Sequence, residues 1–271
     1  MALEVRAMGL GDLDFILALT RGEGWDYGER DIKRLLELEP KGSFVALEGW
    51  ERVGIVTTLC YGKSAWLGNL VVRSGYRGLG HGKGLVEHVL ASLAGKGHKT
   101  VGIYAYEWLT DFYRDMGFEG DEGIITFSGR PGGGRGAGGT ADMDELIAFD
   151  RSRFGDGRGK LLRRLQEEYP DLCKVQREGG RIAGYIMGRR SDSGAEIGPW
   201  VSQRSCARGL LEAELAELEG EVWVSVPEEN GEALETIRSC GFRERFRTVL
   251  MYRGPPLVQR EICAVAALEK G

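Results

Sequence analysis

Between Leu70 and Gly84 the chain reads LVVRSGYRGLGHGKG, an apolar strand that passes through five glycines directly into a helix. Over residues 82–95 that helix carries Leu85, Val86, Val89, Leu90 and Leu93 on one stripe, the spacing of a helix laid on a sheet. The first turn of a helix leaves several N–H groups without partners, and they point with the helix dipole toward whatever lies beyond. Glycines let the backbone curl closely around such a point and form a nest of amides that suits a phosphate or pyrophosphate. The spacing excludes better-known glycine loops. A P-loop needs GxxxxGK followed by Ser or Thr, but Gly82-Lys83 is followed by Gly84 and Arg77 stands at the first glycine position. The dinucleotide pattern GxGxxG is absent, and a kinase-type loop lies between two strands rather than before a helix. A purely structural glycine turn is the remaining alternative.

The order of elements around this loop occurs twice. The first pass predicts a strand at 4–8, helices at 12–20 and 29–38, and strands at 43–48, 53–61 and 65–73. The loop and its helix follow, then a strand at 100–106, a helix at 108–116 and a strand at 118–128 that completes the half. The second pass predicts helices at 142–152 and 158–168, strands at 172–177, 181–190 and 195–201, and a helix at 205–219. A strand at 221–226, a helix at 230–239 and a strand at 244–253 end it. Phe112-Tyr-Arg-Asp-Met-Gly-Phe118 and Ile237-Arg-Ser-Cys-Gly-Phe242 match as two helix ends, each stopped by a left-handed glycine and followed by an inward phenylalanine. Arg130-Pro-Gly-Gly-Gly-Arg-Gly-Ala-Gly-Gly139 separates the passes and reads as a linker, six of its last eight residues being glycine. The expected units are 1–129, the linker 130–139, a second unit at 140–253 and a tail at 254–271 that packs back on both, through the apolar run Glu261–Leu268.

Composition narrows the function classes. The net charge is −5 and neither half is basic, so no nucleic-acid partner is expected. Cys60, Cys173, Cys206, Cys240 and Cys263 form no CxxC pair, and only His81, His88 and His98 could join them. Reduced thiols and no metal site are therefore expected. The opening MALEVRAMGLGDLDF carries acids where a signal peptide would be apolar, and no apolar run reaches the roughly 20 residues of a membrane span. A cytoplasmic protein without a membrane partner, either monomer or homodimer, is the expectation.

Val72-(x4)-Arg77-x-x-Gly80-x-Gly82 resembles the signature of the GNAT superfamily of N-acetyltransferases. Phe112-Tyr113-(x3)-Gly117-Phe118 is similar to a later element of that family, and together with the strand order the resemblance covers residues 1–129. It implies an α/β (α+β, mixed-sheet) fold in two tandem GNAT-like domains, with acetyl-CoA as donor and a small-molecule or peptide amine as acceptor. The amides of Gly78, Leu79, Gly80, His81, Gly82, Lys83 and Gly84 would cradle the CoA pyrophosphate beside Arg77. The edge of Leu70, Val71 and Val72 would pair with the pantetheine arm like an added strand, and an amide at 71–72 would polarise the thioester oxygen. That strand would part from 100–106, leaving a slot for the thioester, with Gly68 and Asn69 where the acceptor approaches.

In the chemistry so implied, a neutral amine attacks the thioester and CoA thiolate leaves. Tyr113 matches the family's thiolate-protonating tyrosine; a phenol with an ordinary pKa of about 10 keeps its proton at neutral pH. A core tyrosine is the plainer reading. Glu107, just past the strand at 100–106, is the candidate base, with a solvated carboxylate as its alternative. Asp26, with Glu23, is placed to hold the acceptor's charge or else to cap a helix. Tyr61, Trp66 and Tyr104, together with Tyr106 and Trp108, are candidates to stack on the acceptor or to serve as core. Two departures stand out: Tyr106 and Leu109 occupy positions where the family often has Asn and Ala, the asparagine helping to orient CoA. The second half has the asparagine pattern at Asn230 and Ala233, but Ile237 replaces the tyrosine and 198–209 contains no RxxGxG. It therefore resembles a diverged repeat without a cofactor cradle. A non-catalytic acyl-CoA sensor and a nucleotide-phosphate binder are the competing functions.

Overall fold

The computed structural model describes residues 3–130, 138–191 and 193–271. In chain order the first half contains β1 (Leu3–Ala7), α1 (Leu13–Gly22), α2 (Glu29–Leu38), β2 (Phe44–Glu48), β3 (Glu51–Cys60), β4 (Ser64–Val72), α3 (His81–Gly95), β5 (Thr100–Tyr106), α4 (Thr110–Arg114) and β6 (Glu119–Gly129). The second half contains α5 (Met143–Phe154), α6 (Gly159–Glu168), β7 (Cys173–Glu178), β8 (Arg181–Arg190), β9 (Gly194–Ser202), α7 (Arg204–Leu215), β10 (Glu221–Pro227), α8 (Gly231–Ser239), β11 (Arg243–Arg253) and β12 (Ile262–Ala264). The two expected helix stops are present. Gly117 and Gly241 have φ of 80° and 85°. Phe118 N and Phe242 N donate back to Tyr113 O and Ile237 O, and both phenylalanines are buried. The expected linker falls mostly on residues 131–137, outside those described; at its end Gly139 exchanges two backbone hydrogen bonds with Val175 of β7.

All strands belong to one mixed sheet in the order β1-β2-β3-β4-β5-β11-β6-β10-β9-β8-β7, with β12 added on β9. The expectation that the strand at 118–128 completes its own half is corrected. The last strand of each half lies across the other: β11 pairs with β5, and β6 pairs with β10 on one side and β11 on the other. Each exchanged strand carries a mostly apolar stretch, in Ile124–Phe127 and in Val249–Tyr252, that fits a covered sheet in either half, so pairing over long sequence separation decides between them. The consequence is a shared core: Leu59, Trp66, Ile125 and Phe127 pack in one cluster with Tyr185, Trp200 and Leu211.

Charged groups tie the halves together inside this core. Arg34 on α2 donates to Glu168 of α6 at 2.6 Å and to Asp31 at 2.9 Å, and Arg189 of β8 donates to the same Asp31 at 2.9 Å. Arg158 and Asp150 are each 1% exposed and paired at 2.9 Å; Tyr185 OH donates to Asp150 at 2.5 Å. Removing one member of such a pair strands the other charge away from water, which costs about 3–5 kcal/mol, a large part of a stability of about 5–15 kcal/mol. Asp150→Ala is therefore expected to lower the urea midpoint sharply, while Asp150→Leu combined with Arg158→Met loses much less. Equal losses in the single and double variants would refute that account. Among the described residues no helix is long and apolar enough to cross a membrane.

Candidate functional site

The site begins where two parallel strands stop pairing. β4 and β5 are in register only at Ser64–Trp66 against Thr100–Gly102. Beyond Trp66, β4 stays hydrogen-bonded to β3 as far as Val72, and β5 stays bonded to β11 as far as Tyr106. The facing edges of residues 67–72 and 103–106 thus have no strand between them. A β-bulge opposite Val56 accompanies the divergence, and Asn69 there takes the left-handed region at φ 49°. Its side chain holds the kink, with Oδ1 accepting from Tyr27 OH at 2.8 Å and Nδ2 donating to Thr57 Oγ1 at 3.1 Å. A cavity of about 580 Å³ fills the divergence, lined by Leu67–Val72 and Ile103–Tyr106 from the two strands.

At the end of β4 the glycine loop is open. Arg77 folds back, Nε donating to Val72 O at 2.8 Å, while its other end pairs with Glu23. Gly78 and Gly80 have φ of 78° and 86°; both are exposed, with nothing within 4 Å of where a Cβ would stand. Gly80 caps α3, and the first amide of the loop and helix start to find a backbone acceptor is that of Gly84, on Gly80 O at 2.9 Å. Among the described residues the N–H groups of Gly78, Leu79, Gly80, His81, Gly82 and Lys83 have no hydrogen-bond acceptor, the arrangement of an anion nest. The His81 ring turns away, Nε2 lying 2.7 Å from Glu48 Oε2, so that this residue offers its amide. Lys83 is exposed beside Glu87. Gly84 packs against Leu3: a Cβ there would lie 2.5 Å from Leu3 Cδ2 and would have to displace that side-chain end.

Tyr113, on α4, lines the cavity and is 6% exposed. Burial pushes its phenol above the ordinary tyrosine value, so the hydroxyl carries its proton at neutral pH. Tyr104 lines the same cavity, and its buried hydroxyl has no hydrogen-bond partner among the described residues. Asp26 reaches the rim from the α1–α2 loop, accepting from Ser193 Oγ of the second half at 2.6 Å. Burial acts to raise its pKa, but hydrogen bonds from Ser191 and Ser193 outweigh this and hold it below the usual aspartate value.

Three sequence expectations are corrected. Tyr61 is a core residue: 6% exposed, with its hydroxyl donating to Lys270 O at 2.5 Å. Trp66 is fully buried, stacked on Tyr104 at 5.1 Å and closed over by Gly271; neither residue is in the cavity wall. Both precede the point where β4 leaves β5, so the sheet and tail cover them. Glu107 lies in the exposed turn after β5 and is also outside the wall. Tyr106, at the position where an asparagine was absent, accepts from Trp25 Nε1 at 3.2 Å and stacks on Trp108 at 4.6 Å.

The far wall comes from the second half, for which the sequence pointed to no individual site residue. Thr248 and Phe246 of β11, Trp223 and Ser225 of β10, Arg189 and Glu196 face the cavity, as do Leu268 and Glu269 of the tail. The exchange of β6 and β11 brings them there. Beside the apolar run that led the tail to be expected back on the domains, Gly68 was the signal for where it rests: a glycine inside a strand marks close approach of another backbone, and a Cβ at Gly68 would lie 2.3 Å from Glu269 Cβ.

Comparison with known proteins agrees with this geometry. The acetyltransferase (GNAT) domain family matches twice, through two of its models, over residues 39–120 and 146–262. A holothin acyltransferase from a Pseudoalteromonas species is 28% identical over 263 residues, covering 92% of this chain and 88% of the relative. The crystal structure of a proposed acetyltransferase from Pyrococcus horikoshii superposes with a TM-score of 0.83 at 19% identity, covering 99% of this chain and 96% of that one. A tandem GNAT protein from the clavulanic acid biosynthesis pathway superposes at 0.62 with 16% identity, covering 94% and 100%. The chain belongs to the GNAT acyltransferase superfamily, as two GNAT domains in tandem of which the second is diverged.

Proposed function

We propose that the chain is an N-acyltransferase that takes an acetyl group from acetyl-CoA and transfers it to a primary amine. The observation that carries this reading is the parting of β4 from β5, which ends at a glycine loop whose amides at 78–83 are unpartnered. The loop and Arg77 bind the diphosphate, the free edge of Leu70–Val72 takes the pantetheine arm, and the thioester lies toward Asn69 and Tyr113. The amine nitrogen attacks the carbonyl carbon, the C–N bond forms and the C–S bond breaks. The departing thiolate takes its proton from the Tyr113 hydroxyl, which burial keeps protonated, and the proton that the amine nitrogen loses passes to solvent water, which restores the phenol. Residues 1–129 supply this chemistry, and the second half closes the acceptor side of the cavity.

Thiol release measured across a panel of primary amines with acetyl-CoA tests the reading. Propionyl-CoA and longer acyl-CoA donors belong in the same assay, because the holothin acyltransferase relative is named for acyl transfer in general. Binding of acetyl-CoA without turnover on any amine favours the sensor reading instead, to which Tyr106 in place of an asparagine points. Calorimetric titration is expected to find a single acetyl-CoA per chain, since the second half has neither the RxxGxG loop nor a tyrosine at Ile237. A second CoA of comparable affinity would overturn the assignment of the second half as non-catalytic.

A further inference from the structure

The segment after β11 visits two strand partings. In the second half β9 and β10 run parallel over Gly194–Ile197 and Glu221–Val224 and then separate, as β4 and β5 do in the first. Here the gap contains the chain itself. Ile262 pairs with Val201 and Ala264 with Trp200 on β9, and Val265 N donates to Ser225 O of β10 at 3.0 Å. Asn230, from the asparagine pattern of this half, donates through Nδ2 to Ile262 O at 2.8 Å. A Cβ at Gly198 would lie 1.9 Å from Val265 O, so the backbones meet there as closely as glycine permits. Residues 262–265 thus lie as an extended arm between the two strands.

Past the arm, residues 266–271 turn and press on β4. Tyr61 OH donates to Lys270 O at 2.5 Å and Arg158 Nη1 to Gly271 O at 2.9 Å, which fixes the turn from both halves. Glu269 lands on Gly68, its Cβ and Cα 2.3 and 2.6 Å from a Cβ built there, and it lines the first-half cavity while only 5% exposed. Burial acts to raise the pKa of its carboxyl, but Lys270 and Arg189 outweigh this and keep it ionised. Of the other acids of the wall, Glu23 pairs with Arg77, Glu196 with Arg189 and Glu221 with Arg245, while Asp26 at the rim accepts from Ser193 Oγ. Lys270 engages only Oε1 of Glu269, leaving acceptor positions on a group that has about four. In the same cavity Thr248 Oγ1, on a residue 1% exposed, and Tyr104 OH are buried with no partner among the described residues. Hydroxyls that can donate or accept, lining one cavity with a carboxylate, suit a group with several N–H donors.

We propose that Glu269, anchored by the arm in the second parting, is the carboxylate that binds the ammonium form of the acceptor at Gly68, so that the tail decides which amines enter. The proposal rests on the amine-acyltransferase reading and names the residue that selects its substrate. Glu269→Gln is made in the full chain and assayed with acetyl-CoA and the probes spermidine, tryptamine and 2-phenylethylamine, with 2-phenylethanol as the uncharged control. Loss of a charged hydrogen bond is expected to raise KM for the amines about 10–100-fold, with kcat changed far less and CoA affinity unchanged. Because the substitution strands the Lys270 ammonium, Glu269→Gln with Lys270→Met is assayed beside it; the same KM increase with wild-type thermal stability is expected. Glu269→Asp should recover part of the amine affinity. Unchanged amine KM in both variants overturns the proposal, as does a parallel loss of CoA affinity and stability in both, which marks a purely structural tail. Calorimetry of the same probes on the CoA-bound protein separates the two readings. Amine binding that Glu269→Gln abolishes, without turnover in the wild type, keeps the subsite and refutes acyl transfer. Turnover indifferent to residue 269 does the reverse, and no binding of any amine by the wild type refutes the subsite.

Discussion

Gly82→Asp is expected to abolish acetyl-CoA binding while leaving the protein folded. The position tolerates a side chain: a Cβ there would meet Phe112 Cζ at 3.6 Å and Val72 Cγ2 at 3.9 Å, ordinary contacts, and the glycine has no positive φ. An acid in the first turn of a helix is favourable for the helix itself, because it offsets the positive end of the dipole. For an anionic ligand the same charge is repulsive. Two like charges about 4 Å apart near a protein surface repel by about 4 kcal/mol, which lowers affinity roughly a thousandfold. Stability and affinity should therefore move independently: an unchanged or slightly higher Tm, and no detectable heat on titration with acetyl-CoA. If Gly82→Asp binds acetyl-CoA as the wild type does, the amides at 78–83 are not the diphosphate site. An ATP arm distinguishes the nucleotide reading, in which ATP protects the wild type thermally and CoA does not.

How much of this was legible before folding depends on how local each requirement is. The glycine loop was readable because its constraint is written into adjacent residues: positive φ at Gly78 and Gly80, then the apolar stripe of α3. The paired helix stops at Gly117 and Gly241 were readable for the same reason. Exchange of β6 and β11 was not, since Thr126 opposite Ser225 and Thr248 opposite Tyr106 are pairings across about a hundred residues or more that strand alternation does not specify. The aromatic residues divided accordingly. Tyr104 and Trp66 stack on each other, yet Tyr104 reaches the cavity while Trp66 lies beneath the tail. Nothing in the alternation of β4 and β5 marks where the two strands part. Glu269 carries no local signal, and only Gly68 hinted that a backbone would rest there.

The exchange also constrains how the site can be taken apart. β11 supplies Phe246 and Thr248 to a cavity whose other wall is β4, and the same strand closes the sheet on β5. Residues 1–129 therefore lack part of the cavity and a strand neighbour for β5. The separable unit for mechanism is accordingly the side chain and not the domain.

Tyr113→Phe provides that separation. The ring is held by packing against Phe112 at 5.0 Å and Phe118 at 5.7 Å between centroids, and the hydroxyl makes no hydrogen bond to a described residue whose loss would disturb the fold. Phenylalanine keeps the volume and the aromatic contacts, so stability and acetyl-CoA affinity should remain those of the wild type. What disappears is the proton at the mouth of the slot. A positioned general acid contributes about 10²–10⁴ in rate, and kcat should fall by that factor with KM for the amine little changed, the pattern of an interaction made only in the transition state. Burial raises the tyrosine's pKa, so its protonated form is present throughout the neutral range and is lost only as pH rises beyond the ordinary tyrosine value. The wild-type rate should accordingly show no alkaline fall from this group between about pH 7 and 9. Acyl donors with more acidic thiols need less help in leaving, so an activated aryl thioester should narrow the gap between Tyr113→Phe and wild type. If kcat is unchanged with acetyl-CoA itself, Tyr113 is a packing residue and the thiolate takes its proton from water.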